Sequence, residues 1–254
     1  MRVIFFAVAA LALAATASAR PLDQVMESGN LAVCAHPNAL PFSAKDGERH
    51  GFQVEMADAL AKSLKVALET NWVITAIDRN RTECDIVIDA IADAEAQAEN
   101  HVTLSKPYRR SGVVLAVKPD GPVASLADLK DGKTKISVLP GSMAAMVLGK
   151  RGFRITPNGF EEDLLREVAT GYSGGAAVTP TALGYYNLRH PESPLRLIDA
   201  FAKEPDLTWN VAVGMVKADA ALVAAIDAAL DKMLAAGTIA NIYKGYGVEL
   251  LPPR

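Results

Sequence analysis

The sequence predicts an α/β protein built as two lobes, with mixed sheets flanked by helices and two crossings between them. Three observations predict this. Short buried apolar runs alternate with segments of helical period, the punctuation at Pro119, Gly121 and Pro122 interrupts that alternation, and the same theme then resumes before a long regular helix closes the chain.

The chain opens on Met1-Arg2, an apolar run from Val3 to Ala15, and Ala17-Ser18-Ala19 before Arg20. A short basic start, an apolar stretch and an A-x-A site form the pattern of a cleaved secretory leader at residues 1–19. A membrane anchor is the weaker reading, since the run is shorter than the roughly 20 residues a span needs. Of 254 residues, about 235 remain after the leader, enough for two lobes of about a hundred each. The leader takes one Arg with it and moves the formal charge from -3 to -4, which leaves no electrostatic footprint for nucleic acid. The expected location is the periplasm.

Leu31 to Ala35 reads as a buried strand. From Phe52 to Leu64, the apolar residues Phe52, Met56, Ala59, Leu60 and Leu64 follow helical spacing, with Glu55, Asp58 and Lys62 on the other side. Val66 to Val73 and Cys84 to Ala90 ("CDIVIDA") read as further strands, and this order implies parallel pairing through right-handed crossovers. Val113 to Val117 is another short strand, followed by the first expected crossing. Ser125 opens a helical turn that Gly132 ends, and "KISVLPGSMAAMVLGKRG" gives a strand, a tight turn and a helix. "EEDLLREVATG" is a helix with its acids in the first turn, which suits the helix dipole. "GGAAVTPTALGYYNLRH" reads as a strand, a Thr179-Pro180 turn and a helix. The strand Asn210 to Val216 forms the way back, and a helix carrying Leu222, Ile226, Ala229, Leu230 and Met233 on one face runs to Gly237. The expected borders place 20–116 and 212–254 in one lobe and 117–211 in the other.

In an oxidising compartment, Cys34 and Cys84 are read as one disulfide, and a third strand lying beside the first would let them meet, so topology and disulfide support each other. Two free buried thiols, or a metal site using Cys34 and His36, are the alternatives; the scattered histidines lack the spacing of a structural zinc site. No metal and no cofactor are expected. No Ser/His/Asp or Cys/His arrangement, G-x-S-x-G elbow or Gly-rich phosphate loop is visible, so no catalytic residue is assigned and the chain is not read as an enzyme.

The order of "LAVCAHPNALPFS", "GFQVEMADALAKSL", "CDIVIDAI", "LSKPYRRSGVVLAV", "PGSMAAMVLGKRG" and "AALDKMLAAGTIANIYKGYGV" resembles the family 3 extracellular solute-binding proteins over residues 29–251. The resemblance implies a type II periplasmic binding protein fold and a role like that of receptors of ABC importers. Receptors for amino acids carry an arginine that holds the ligand carboxylate, and its place falls at Ala98 within "ADAEAQAEN". They also carry an acid for the ligand ammonium, where this chain has Val178 and Thr179. Both departures speak against a free amino acid. The opening "VCAHPNALPFS", the "CD" pair, the T-P turn before "LGYY" and the ending "YGVELLPP" resemble the MxaJ/XoxJ type. That resemblance implies association with a periplasmic PQQ-dependent methanol (quinoprotein alcohol) dehydrogenase and its cytochrome c, and paired cysteines at Cys34 and Cys84.

The expected ligand contacts follow strands and precede helices or crossings, where α/β sheets place ligands: Asn38, Phe42, Ser105, Tyr108, Arg109, Ser142, Thr179 and Tyr185. Ser142 also reads as a plain helix cap. Arg109 and Arg110 flank a strand, so one of them faces solvent, and one of Tyr185 and Tyr186 belongs to the core. Trp209 precedes the way back and could reach the cleft, although it reads first as core. Glu55 with Arg109 could supply the acid and clamp of a dehydratase acting on prephenate-like acids, a reading that Ala98 opposes.

Overall fold

A computed structural model describes residues 18–254. Of the expected leader, residues 1–17 lie outside the described residues. The first sheet begins with β1 (Asn30–Ala35), which follows helix α1 (Leu22–Ser28). A small ribbon of β2 (Asn38–Ala39) and β3 (Ser43–Ala44) leads into α2 (Phe52–Leu64), whose ends match the expected helical period. Then come β4 (Ala67–Trp72), α3 (Ala76–Arg81), β5 (Val87–Ile91), α4 (Ala94–Ala98), β6 (Val102–Leu104) and β7 (Arg109–Gly112). The second sheet takes β8 (Val114–Val117), β9 (Ile136–Val138), α5 (Met143–Lys150), β10 (Ile155–Pro157), α6 (Glu161–Thr170), β11 (Gly175–Val178), α7 (Pro180–Arg189) and β12 (Arg196–Ile198). The chain returns through β13 (Thr208–Val216) to α8 (Ala220–Ala235) and α9 (Thr238–Lys244).

β1 pairs in parallel with β4, and a parallel bridge between Val33 and Ile86 joins it to the start of β5. This is the crossover order that the strand-helix-strand pattern predicts. It sets Cys34 beside Cys84, and the two form a disulfide with Cα atoms 5.5 Å apart. β13 runs antiparallel to β5, β6 and β7. In the second sheet the order is β10-β9-β11-β8-β12, with β8 antiparallel to both of its neighbours.

Strand pairing moves both expected borders. All four residues of β8 are buried, and they pair with β11 and β12, so the strand assigned to the first lobe belongs to the second sheet. β13 pairs only with strands of the first sheet. The crossings therefore fall at Val113 and within 199–207.

Phe52, Met56, Leu60, Ile226, Leu230, Tyr243 and Tyr246 fill the first core, all fully buried. The second sheet is covered on both faces: Leu164, Leu165 and Val168 of α6 pack on one, and Leu129, Leu148, Phe201 and Leu207 on the other. A sheet covered on both faces needs apolar residues throughout its strands, and β8 and β11 have this character. Among the described residues, no helix is long and apolar enough to cross a membrane.

Candidate functional site

The ends of several strands leave a cavity of about 850 Å³ between the two sheets. One wall is the end of β5 and the first turns of α4: Ile91, Ala92, Asp93, Ala96 and Gln97. Asp93 caps α4 by accepting the N–H groups of Glu95 and Ala96, each at 3.1 Å. The opposite wall belongs to the second sheet, with Leu139, Ser142, Met143, Val178, Thr179 and Glu161. Pro205, Asp206, Thr208, Trp209 and Asn210 close the back, where the chain crosses over.

Glu161 was not singled out by sequence, yet it ties two helices to this wall. Its carboxylate accepts the Thr179 N–H at 2.5 Å and the Thr179 Oγ1–H at 3.0 Å. Burial pushes its carboxyl above the usual carboxylate range, and the two Thr179 donors pull in the other direction. Thr179 in turn caps α7, its Oγ1 accepting from the Ala182 N–H at 3.1 Å, with Pro180 at the first helical position. Ser142 caps α5 in the same way, accepting from the Ala145 N–H at 3.2 Å. Where the family resemblance expects an acid, the chain has Val178 and Thr179; packing of α6 brings the Glu161 carboxylate, 18 residues upstream, onto Thr179.

Of the expected contacts, Ser142 and Thr179 line the cavity. Six others do not, and each has a structural reason. The Ser105 hydroxyl accepts from the Val213 N–H at 2.9 Å and donates to the Lys106 carbonyl, which seals β6 to β13. Tyr108 is fully buried and donates to Asp89 Oδ1. Arg109 bonds the same carboxylate, Nη2 to Oδ2 at 2.9 Å, with both side chains under 10% exposed (6% and 8%). Tyr243 also donates to Asp89, at 2.9 Å, and its ring lies under the Arg109 guanidinium. Asp89 reaches this position at a β-bulge, where its φ is 63° and the register against β13 shifts between Ala212 and Gly214. Burial and the Asp89 charge hold both phenols well above the ordinary tyrosine range, so they stay donors. Burial alone would lower Arg109, but Asp89 and the phenols more than reverse this and hold it above its usual value.

Phe42 lies against Phe52, ring centroids 5.3 Å apart, and tops the first core. Asn38 is exposed on the ribbon, its N–H donating to His36 Nδ1. Tyr185 packs on Tyr246 at 5.9 Å, where α7 meets the first core. Trp209, first read as core, is half-buried and lines the cavity. Asp93, Gln97, Asp206 and Asn210 also line it without having been singled out.

The family model for bacterial extracellular solute-binding proteins, family 3, matches residues 31–249, and the chain belongs to that family. Within it, the protein MoxJ of Methylorubrum extorquens AM1 is 28% identical over 89% of this chain and 83% of its own length. The glutamine-binding protein of Geobacillus stearothermophilus is 26% identical over 75% of this chain and 76% of its own. Among solved structures, the periplasmic binding protein XoxJ of Methylobacterium extorquens AM1 superposes with a TM-score of 0.69 at 25% identity, covering 87% of this chain and 99% of that one. The fold is thus that of two-lobed periplasmic binding proteins, in a family of extracellular binding proteins close to the MxaJ/XoxJ type.

Proposed function

We propose that the chain is a periplasmic accessory of the MxaJ/XoxJ kind, serving a PQQ-dependent alcohol dehydrogenase and its cytochrome c by holding a partner segment or a small ligand in the interlobe cavity. It binds and does not turn over a substrate. The observation that carries this reading is the wall formed by Asp93, Ala96 and Gln97, which offers no base for a ligand carboxylate, in a chain similar to MoxJ along most of its length. Lobes joined by two crossings close over an occupant by hinge motion. The family's ordinary role supports a second reading, an importer receptor for a small solute other than an amino acid, and the likeness to a glutamine-binding protein keeps it in view.

Affinity purification of the tagged chain from periplasm separates the two. The accessory reading expects a quinoprotein dehydrogenase or a cytochrome c among the co-purifying proteins. A transporter permease, or a tightly held small molecule in its place, supports the receptor.

A further inference from the structure

The charged side chains that line the cavity are all of one sign, while the Arg254 guanidinium lies behind the wall, its Nη1 donating to Thr208 Oγ1 at 3.1 Å. Asp93, Glu161 and Asp206 line it, and no lysine, arginine or histidine does. None of the three takes part in an ion pair among the described residues. Asp93 and Glu161 accept only uncharged donors, the N–H groups of α4 and the Thr179 N–H and hydroxyl. An anion entering this space meets repulsion from the lining acids, and a neutral solute leaves the half-buried Glu161 carboxylate without a counter-charge. We infer that the cavity takes an organic cation, an ammonium or guanidinium group on an apolar stem, with no carboxylate of its own.

Three further observations narrow the class. No group of three His, Cys, Asp or Glu residues among the described residues is close enough to hold a metal ion, so the acids are spread around the wall and suit a charge on an extended organic group. Trp209 adds the aromatic surface that favours a cation over a neutral amine. Leu139, Met143, Val113 and Val178 give the stem an apolar bed. An α-amino acid brings a carboxylate as well as an ammonium, and this cavity answers only the second. Burial holds the Glu161 carboxyl above its usual range, and a bound cation would keep it ionised.

The inference rests on the reading that this cavity is the binding site, and it leaves open whether the cation is a free amine or the lysine or arginine side chain of a partner segment. Calorimetric titration separates these sources. The first probe is agmatine, which is arginine without its carboxylate, set against arginine and glutamate. The second is a short blocked peptide with one lysine among leucines, set against its acetyl-lysine form. Agmatine binding about tenfold or more tighter than arginine identifies a free amine. A silent agmatine with a peptide that binds only when its lysine is unacetylated identifies a partner side chain. In either case Glu161→Gln and the exposed Asp206→Asn should each weaken binding several-fold, with far-ultraviolet circular dichroism confirming the fold. The inference is overturned if neither probe binds at millimolar concentration, if arginine or glutamate binds as well as agmatine, or if both variants bind like wild type. If neither probe binds while a dehydrogenase still co-purifies with the wild-type chain, the accessory role stands and the cation alone fails.

Discussion

The two lobes are held together by different means. The first sheet is fastened at discrete nodes: a disulfide between Cys34 and Cys84, a buried Asp85 that takes Arg20 Nη2 at 2.6 Å and the Ala32 N–H at 2.7 Å, and Asp89 beneath Tyr108, Arg109 and Tyr243. The second sheet has neither a disulfide nor a buried ion pair among the described residues. Short strands of three or four residues, apolar packing on both faces and helix caps hold it instead. One node, Asp89, lies within β5, and the other two hold residues 84 and 85 just before it; β5 leads into the cavity wall that begins at Ile91. The difference teaches that the first lobe is a fixed jaw, and that the second supplies hydroxyls and Glu161 from a less pinned frame.

The largest way to break this comparison is Asp89→Ala. It strands a buried guanidinium and two buried phenols, and breaking such a pair by removing one partner costs about 3–5 kcal/mol. Urea unfolding followed by circular dichroism should show that loss. Hydrogen exchange should quicken in β5, β7 and β13 before it does in β9 or β11. Equal loosening of both sheets would dissolve the contrast between the lobes.

Replacing Cys34 and Cys84 with serine comes next. Joining residues 50 apart in sequence stabilises by about 2–4 kcal/mol, chiefly through the unfolded chain. The double variant, or wild type under reductant, should lose that amount in urea and leave the exchange rates of the second sheet unchanged. Two titratable thiols in the unfolded, unreduced wild type would remove the node altogether.

At the contact between the lobes the expected effect is smaller. Gly184 of α7 lies against Gly247 of the tail, and a Cβ at Gly184 would sit 2.3 Å from the Gly247 carbonyl oxygen. That is a backbone atom, so the clash cannot be relieved by a rotamer. Gly184→Ala gains about 1 kcal/mol of helix propensity against about 1–3 kcal/mol of overpacking, for a modest net loss. Faster exchange should be confined to α7 and residues 246–248. A raised melting temperature with unchanged exchange would show that the contact does not couple the lobes.

How much of this was legible depended on how local the cause was. Helix α2 was read to its ends because apolar spacing and Gly51 mark it within one stretch, and the Cys34–Cys84 pair was read from two cysteines in an oxidising compartment, with the strand order in support. Ser142 and Thr179 could be placed at the cavity because a cap at the end of a buried strand is a local pattern. Tyr108 and Arg109 were misplaced because their fate is decided by Asp89, at a bulge about twenty residues away that no alternation pattern reveals. Glu161 was missed for a related reason: an acid in a first helical turn reads as a partner for the dipole, and only α6 packing on β11 brings it to Thr179. Trp209 needed the register of β13. The frame was thus legible and the cavity wall only in part, because the wall is assembled from residues distant in sequence.

The smallest effect is the one that sharpens the comparison where the jaws meet. Burial raises the Glu161 carboxyl above its value in the unfolded chain, so the folded state holds that proton more tightly. Its contribution to folding is therefore fully present below the ordinary carboxylate range and is lost as pH rises through the raised value. Glutamine keeps the size of the side chain and carries no charge to bury. The stability of Glu161→Gln relative to wild type should then increase between pH 4 and pH 7, read from urea midpoints at each pH. A difference that stays flat over that range would mean that the carboxylate is not penalised by its surroundings. Agmatine at pH 7 should narrow the gap by stabilising wild type more than the variant, because a bound cation supplies the charge partner that neither lobe provides.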